Sequence, residues 1–449
     1  MMLYWCTDVQ MHKGTPLSDL TETTMACGCC GTDARPLRTG CSGNCARCAH
    51  PCAASRPAPA AKSASSGHTF SIASSPTAIE RLRILSGDAR YDLSCACGTQ
   101  GDERVRNERG DRWIYPVTLP NGGTSAFLRT LVDNRCSSDC AYCPLRSDQD
   151  VRRCLLDPEE IAALFLDYLR QRKVFGIFLT SSLSDDPDRS MARMIDTAAI
   201  LRRRHGFRGY VHLKILPGAS DAAMQEALRL ADAVSLNLEA PTQKRFQVLS
   251  RRKDYIADIV EPMKKLARWT SREGPFRRVG LTTQFVVGAA GESDFELVRT
   301  MGALYGKLGL SRAYFSAYQP GGGAAHLPGE RNPASMGPNP LTREHRLYQS
   351  DFLLRKYGFS ADEIPFGEDG NLVLDKDPKE VWAALHPERF PVDLDTADKF
   401  ELLRVPGLGP VFVDRILKIR RSGGRIRHLA QIGDPWRLNR ALPWIKQSA

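Results

Sequence analysis

The feature that most constrains this chain is an alternation that repeats between residues 127 and 318. Strand-like apolar runs at 127–133, 176–181, 210–216, 233–239, 280–287 and 312–318 are separated by stretches of helical period at about 157–172, 188–205, 220–230, 254–269 and 293–309. A helix between two strands carries the chain back across the sheet, so the strands run parallel and the crossovers are right-handed. The predicted fold class is α/β. Six such units predict a sheet curled into a partial (β/α) barrel, with functional groups at the C-terminal strand ends.

The loop after the first of these strands reads Asn134-Arg135-Cys136-Ser137-Ser138-Asp139-Cys140-Ala141-Tyr142-Cys143, three thiols spaced C-x3-C-x2-C with a tyrosine before the last. A four-iron cluster takes four thiolates, so a loop giving three leaves one iron open to a small ligand. A zinc knuckle or three buried core thiols is the plainer reading. Against it stands the setting: Phe127 to Val132 alternates as a strand, and Asp157-Pro158-Glu159-Glu160 starts an amphipathic helix. Zinc knuckles are not built on a strand–loop–helix frame. Cys154 lies eleven residues beyond Cys143. It is either a fourth ligand that closes the cluster or a free thiol near the helix start.

The cysteine spacing and its aromatic residue resemble the radical S-adenosylmethionine (SAM) superfamily, over about residues 120 to 330. The resemblance implies a [4Fe-4S] cluster on Cys136, Cys140 and Cys143, with SAM on the open iron and cleaved reductively to a 5'-deoxyadenosyl radical. It also implies a low-potential electron donor such as flavodoxin or ferredoxin. SAM contacts are expected from Tyr142, from Ser181 and Ser182 at the end of the second strand, and from Gly288 in the turn after the fifth. Ser235, Asn237 and Glu239 alternate along the fourth strand, so three polar groups are expected on one inward face, where they need partners. Lys214 is inward on the third strand, for SAM or as the partner of Glu239.

Composition sets the outer bounds. The chain has 449 residues, 42% of them hydrophobic and 25% charged, as in a globular protein with room for two or three domains. No apolar run approaches the roughly 18 residues of a membrane span, and the N-terminus lacks a signal pattern, so a cytoplasmic protein without membrane contact is expected. The fourteen cysteines are clumped in metal-like spacings, which favours reduced thiols over disulfides. Residues 1–75 read as a Cys-rich, Ala/Pro/Ser-rich leader without a core. In it Cys41, Cys45 and Cys48 repeat the C-x3-C-x2-C spacing near Cys27, Cys29, Cys30 and Cys52, as a second metal site or a thiol-rich tail. Residues 76–119 read as an N-terminal extension of the barrel at 120–330. Its Cys95 and Cys97 are buried thiols, ligands or active-site residues.

A helical and polar connector at 331–395, with a helix at 342–357, leads to a module at 396–449. Residues 397–405 read as a helix, Pro406-Gly407-Leu408-Gly409-Pro410 as a tight hairpin, and 411–421 as a second helix burying Phe412, Ile416 and Leu417. This resembles the helix-hairpin-helix motif of DNA repair and replication proteins. The resemblance implies that Gly407 and Gly409 present backbone N–H groups to phosphate, flanked by Arg415, Lys418, Arg420 and Arg421. Residues 411–449 carry nine Lys or Arg against two Asp, a net +7 of the chain's +11. Barrel and hairpin together resemble a family described as DNA modification or repair radical SAM proteins, over roughly residues 78 to 440. The implied partner is DNA, or RNA in second place, together with a protein partner in repair. Two rivals keep parts of this reading: a radical enzyme on a small molecule or peptide with the hairpin docking a protein, and a non-enzymatic iron-sulfur nucleic-acid binder.

Overall fold

The computed structural model describes residues 76–89, 99–100, 103–104, 114–118, 124–336 and 339–446. The leader cysteines and the Cys95/Cys97 pair lie outside the described residues. Helix α1 (Ala78–Asp88) precedes a two-residue antiparallel pair, β1 (Thr99–Gln100) with β2 (Glu103–Arg104). The main sheet has seven strands in sequence order: β3 (Ile114–Thr118), β4 (Thr124–Leu131), β5 (Gly176–Thr180), β6 (Tyr210–Lys214), β7 (Ala233–Ser235), β8 (Gly280–Val287) and β9 (Arg312–Ala317). From β4 onward every pairing is parallel. These six strands form the expected half-barrel. Strand β3 pairs antiparallel with β4 and extends the sheet by one strand that the alternation does not announce.

The helices follow from local signals. Helix α2 (Pro158–Arg170) starts with an Asp157/Glu160 capping box and buries Ile161, Phe165 and Tyr168 along one stripe. Helices α3 (Pro187–Ala199), α4 (Asp221–Leu230), α5 (Gln243–Leu249), α6 (Glu261–Thr270) and α7 (Asp294–Leu308) complete the outer layer. The helix expected over 254–269 begins instead as a π-turn at Tyr255–Val260, and α5 has no counterpart in the sequence reading.

The strands alternate cleanly between two environments. Leu128, Ile177, Leu179, Val211, Leu213, Val234, Phe285 and Phe315 are fully buried beneath the helices. The opposite, inward face is polar and aromatic, with Arg129, Phe178, His212, Lys214, Ser235, Thr282, Gln284 and Tyr314. A barrel wall that is apolar outside and polar inside is built to receive something.

Helix α8 (Pro328–Arg331) is a single turn, and α9 (Pro340–Lys356) closes the open edge of the sheet. An unpaired edge strand exposes alternate N–H groups that invite association. Here side chains answer them. Ala313 N donates to Tyr305 Oη (2.8 Å), Phe315 N to Tyr348 Oη (3.1 Å) and Ala317 N to Glu344 Oε2 (2.6 Å), while Tyr348 Oη donates back to Phe315 O (3.0 Å).

The C-terminal part comprises α10 (Pro378–Leu385), α11 (Lys399–Arg404), α12 (Pro410–Arg421) and α13 (Pro435–Leu438). It has its own apolar cluster, including Leu402, Leu403, Val405, Leu408, Val413, Ile416, Ile432 and Leu438. On α12 Ile416 is buried as expected, but Phe412 and Leu417 are only partly buried and Val413 takes the inner position. Lys379 Nζ on α10 donates to Leu403 O (3.2 Å) and Leu408 O (2.7 Å) at the hairpin, and Arg404 pairs with Glu363 (2.7 Å). The hairpin is therefore seated on the connector. Among the described residues no helix is long and apolar enough to cross a membrane.

Candidate active site

The cysteine loop leaves β4 and is pinned to the end of β5. Val132 N donates to Thr180 O (2.8 Å), Ser182 N to Asp133 O (2.8 Å) and Ser137 N to Leu183 O (2.9 Å). Cys140 is buried, and Cys136 and Cys143 are half-buried. Donors converge on the sulfurs: Ser138 N on Cys136 Sγ and Leu145 N on Cys143 Sγ, both at 3.4 Å, and Lys253 Nζ on Cys140 Sγ at 2.8 Å. Burial pushes the Cys136 thiol up, and burial together with the neighbouring Cys140 pushes Cys143 up to about 12. Among the described residues no three His, Cys, Asp or Glu side chains converge on a single ion. A four-iron cube is ligated at separate corners and asks its thiols to stand apart.

A second segment, 249–253, is fastened to this loop. Ala141 N donates to Leu249 O (2.7 Å). The Asp139 carboxylate accepts from Ser250 Oγ (2.5 Å), Arg251 N (2.9 Å) and Arg252 N (3.2 Å), and Arg252 donates to Ser137 O. Partial burial opposes the charge on Asp139, but these donors outweigh it and its pKa is lowered. For Lys253 burial again opposes the charge; Cys140 and then Glu239 outweigh it and hold the ammonium protonated. Sequence reasoning missed both Asp139 and Lys253. The available signal was Arg251-Arg252-Lys253, three cations placed just before a helix start, where helix polarity favours anions.

On the cofactor side, Tyr142 hydrogen-bonds Glu239, and burial followed by that carboxylate drives the phenol pKa well upward. The expected regular alternation of Ser235, Asn237 and Glu239 does not hold, because β7 ends at Ser235. Between the Ser235–Thr282 pairing and the Glu239–Phe285 bridge, three residues face two, as in a bulge. Thr283 Oγ1 fills the gap by accepting from Leu238 N (3.0 Å) and donating to Leu236 O (2.8 Å). Glu239 then adopts φ 63°, rare outside glycine, while Glu239 N donates to Gln284 O (3.0 Å) and Val286 N to Glu239 O (2.9 Å). Ser235 and Asn237 are buried nearby, and Lys214 lies in register beside Ser235. The Ser182 amide is used by Asp133, and the Gly288 amide is committed to the Glu292 carboxylate. At Gly288, with φ 96°, a Cβ would stand 3.0 Å from Met336, so this turn is held by packing of its own.

Two buried hydroxyls, Ser181 Oγ and Thr282 Oγ1, have no hydrogen-bond partner among the described residues. Ser181 follows the end of β5 beside the cysteine loop and Thr282 pairs with Ser235 across the sheet, so these orphaned hydroxyls fit a polar ligand in the barrel. Cys154 stands apart from the other thiols. Its backbone N–H bonds Asn134 Oδ1 (2.7 Å), and the charges that bear on its thiol are Asp88, Arg152, Arg81 and Asp133, with no cluster cysteine among them. Three thiols, then, face the barrel mouth.

Residues 131–304 match the family described as the Radical SAM superfamily. This stretch of the chain is a radical SAM domain. As a radical SAM enzyme it binds a [4Fe-4S] cluster and SAM and cleaves SAM reductively. The residues present fit both groups: Cys136, Cys140 and Cys143 stand on one loop, where they would hold the cluster. No curated protein matches the chain. Similar solved structures include HydG, a maturase of the [FeFe]-hydrogenase, at 12% identity and TM-score 0.37, covering 70% of this chain and 75% of its own. HydG from Carboxydothermus hydrogenoformans has 14% identity and TM-score 0.37, covering 70% and 77%. SuiB from Streptococcus suis bound to S-adenosylmethionine has 12% identity and TM-score 0.34, covering 55% and 57%.

The other residues that the sequence singled out lie in the C-terminal module. Gly407 has φ 83°, and a Cβ there would stand 2.9 Å from Ala441 N. Gly409 is the N-cap of α12, whose first turn has no side-chain cap. Arg415 donates to Ile432 O (2.8 Å), and Arg420 to Ala397 O (2.5 Å) and Thr396 O (3.2 Å), so both are tied to internal carbonyls. Lys418 and Arg421 are exposed.

Proposed function

We propose that this radical SAM enzyme acts on a nucleotide of DNA held by the C-terminal hairpin. The observation that carries the reading is the Gly407 turn feeding an uncapped α12 N-terminus. A helix N-terminus with unfilled N–H groups suits a phosphate, and the module's net charge of +7 suits a polyanion. When bound, the cluster and SAM supply a 5'-deoxyadenosyl radical, fed by a low-potential donor of the flavodoxin or ferredoxin kind. Cys136, Cys140 and Cys143 hold the cluster, and Lys253 keeps a positive charge beside Cys140. Tyr142, Ser181, Ser235, Asn237 and Glu239 hold and orient SAM. A base reaches a barrel lumen only when single-stranded or flipped from its stack.

A second reading makes the module a protein-docking element and the substrate a peptide or small molecule. Val411 and Trp436, exposed at 55% and 59%, favour it. Anaerobic reconstitution followed by SAM cleavage with and without single-stranded and duplex DNA separates the two. Stimulation or DNA product formation supports the first. No binding and no effect on cleavage would replace it by the second.

A further inference from the structure

We infer that Arg153 is a positioning residue for the cluster: its guanidinium closes the cysteine loop at its base and sets the backbone turn that aims an N–H group at the Cys143 sulfur. Arg153 is half-buried. Its Nη1 donates to Asn134 O (2.6 Å) and Leu145 O (2.7 Å), and its Nη2 to Arg146 O (2.8 Å) and Gln149 O (3.0 Å). Asn134 stands two residues before Cys136, and Leu145 two residues after Cys143. One side chain therefore ties the chain entering the three thiols to the chain leaving them.

The backbone that carries Arg153 is fixed by the same asparagine. Asn134 is fully buried; its Oδ1 accepts from Cys154 N (2.7 Å), its Nδ2 donates to Arg152 O (2.8 Å), and the Asp133–Leu155 bridge runs alongside. Arg153 thus leaves a segment held on both sides by Asn134 and returns to the Asn134 carbonyl. A guanidinium suits this task because its N–H groups lie in one rigid plane and meet several oxygens at once. The consequence reaches Cys143. The peptide between Leu145 and Arg146 points its oxygen at Arg153 and its N–H at Cys143 O (3.2 Å), while Leu145 N donates to Cys143 Sγ (3.4 Å). Releasing the Leu145 and Arg146 carbonyls frees this turn and with it the donor to sulfur. Partners behind the ligands govern how firmly a metal group is held, and hydrogen bonds to sulfur tune its potential.

This inference rests on the reading of Cys136, Cys140 and Cys143 as the cluster ligands. A cation near a cluster also acts through its charge alone, and lysine separates the two effects, since it keeps the charge and loses the planar fork. The test compares the reconstituted full chain with its Arg153→Met and Arg153→Lys variants by iron released to a chelator, by the midpoint potential, and by the electron paramagnetic resonance spectrum of the reduced cluster. Both variants should release iron about tenfold faster or more, the scale of losing a partner behind a ligand, with a lower midpoint and an altered spectrum. A brace of the fold alone would lower the melting temperature and leave release, potential and spectrum as in wild type, and that result would overturn the inference. Recovery of all three in Arg153→Lys would overturn it too, by making charge the agent. Should Arg153→Met fail to fold, Arg153→Lys decides by itself, because it must still show the faster release and the lower midpoint. The ligand reading is tested apart: a normal cluster in Cys143→Ala removes that reading, whereas loss of the cluster there beside unaltered Arg153 variants removes the positioning role alone.

Discussion

Lys253 Nζ stands 2.8 Å from Cys140 Sγ, so the segment after α5 sets a cation against a thiol of the neighbouring loop. Asp139 makes this placement firm by binding Ser250 and the amides of Arg251 and Arg252. Hydrogen bonds to sulfur and local charge tune iron-sulfur potentials. A donor with positive charge favours the reduced, more negative cluster. Lys253→Met should therefore shift the midpoint downward by on the order of 60 mV, equivalent to about 1.4 kcal/mol for one electron, and Lys253→Arg should restore most of it. A redox titration followed by electron paramagnetic resonance reads this directly. An unchanged midpoint in Lys253→Met would show that the contact does not act on the cluster.

The proposed three-thiol ligand set makes a contrasting prediction for four cysteines. Replacing Cys136, Cys140 or Cys143 by Ala should each abolish the normal cluster, measured as iron and sulfide content and visible absorbance. Cys154→Ala should keep it, because that thiol faces the charges of Asp88 and Arg152 on the other side of the loop. Loss of the cluster in Cys154→Ala would revive a closed, four-cysteine site.

Glu239 combines a carboxylate with a left-handed backbone, and two substitutions separate these contributions. Glu239→Ala and Glu239→Gly should both weaken SAM binding, on the order of 1.5 to 3 kcal/mol for a hydrogen bond to a charged group, while sparing the cluster. Glu239→Gly should be the more stable of the two by roughly 1 kcal/mol, since glycine accepts φ 63° without a Cβ clash. Equal SAM affinity in wild type and both variants would remove Glu239 from the site. Asn237→Ala should also weaken SAM, as a buried neighbour on the same segment.

Much of the barrel was legible because its strands bury one face completely. Leu128, Ile177, Val211, Val234 and Phe285 are the apolar members of runs whose alternates point into the lumen, and period-two patterning follows directly. The C-x3-C-x2-C loop after β4 was legible because its spacing is local. What escaped the sequence depends on contacts between distant segments. Asp139 meets Ser250 across 111 residues, and nothing in either neighbourhood announces the other. The turn at Glu239 escaped for another reason: it relies on Thr283 substituting a hydroxyl for a backbone partner, and a threonine in a strand is ordinarily a simple β-former. Strand β3 was hidden by Pro116 in its middle, a residue tolerated at a sheet edge.

The C-terminal module yields the last prediction, and its seating on the connector changes how the test is made. A truncation at residue 396 would strip Lys379 of its carbonyl partners and uncover Tyr357, over which Lys379 lies at 4.6 Å. Point variants are cleaner. Gly407→Val should lower both melting temperature and DNA affinity, because a Cβ at φ 83° would press on Ala441 N. Changing Lys418 and Arg421 together to Gln should leave melting nearly unchanged, since both are exposed. It should flatten the plot of log affinity for duplex DNA against log salt by about 1.8, at roughly 0.9 per lost phosphate contact. Arg415→Gln and Arg420→Gln should behave oppositely, costing stability more than salt slope, because those guanidiniums hold Ile432 O and Ala397 O in place. If Lys418 and Arg421 can be removed without altering the slope, the phosphate does not lie along α12, and the hairpin's basic face serves a partner other than nucleic acid.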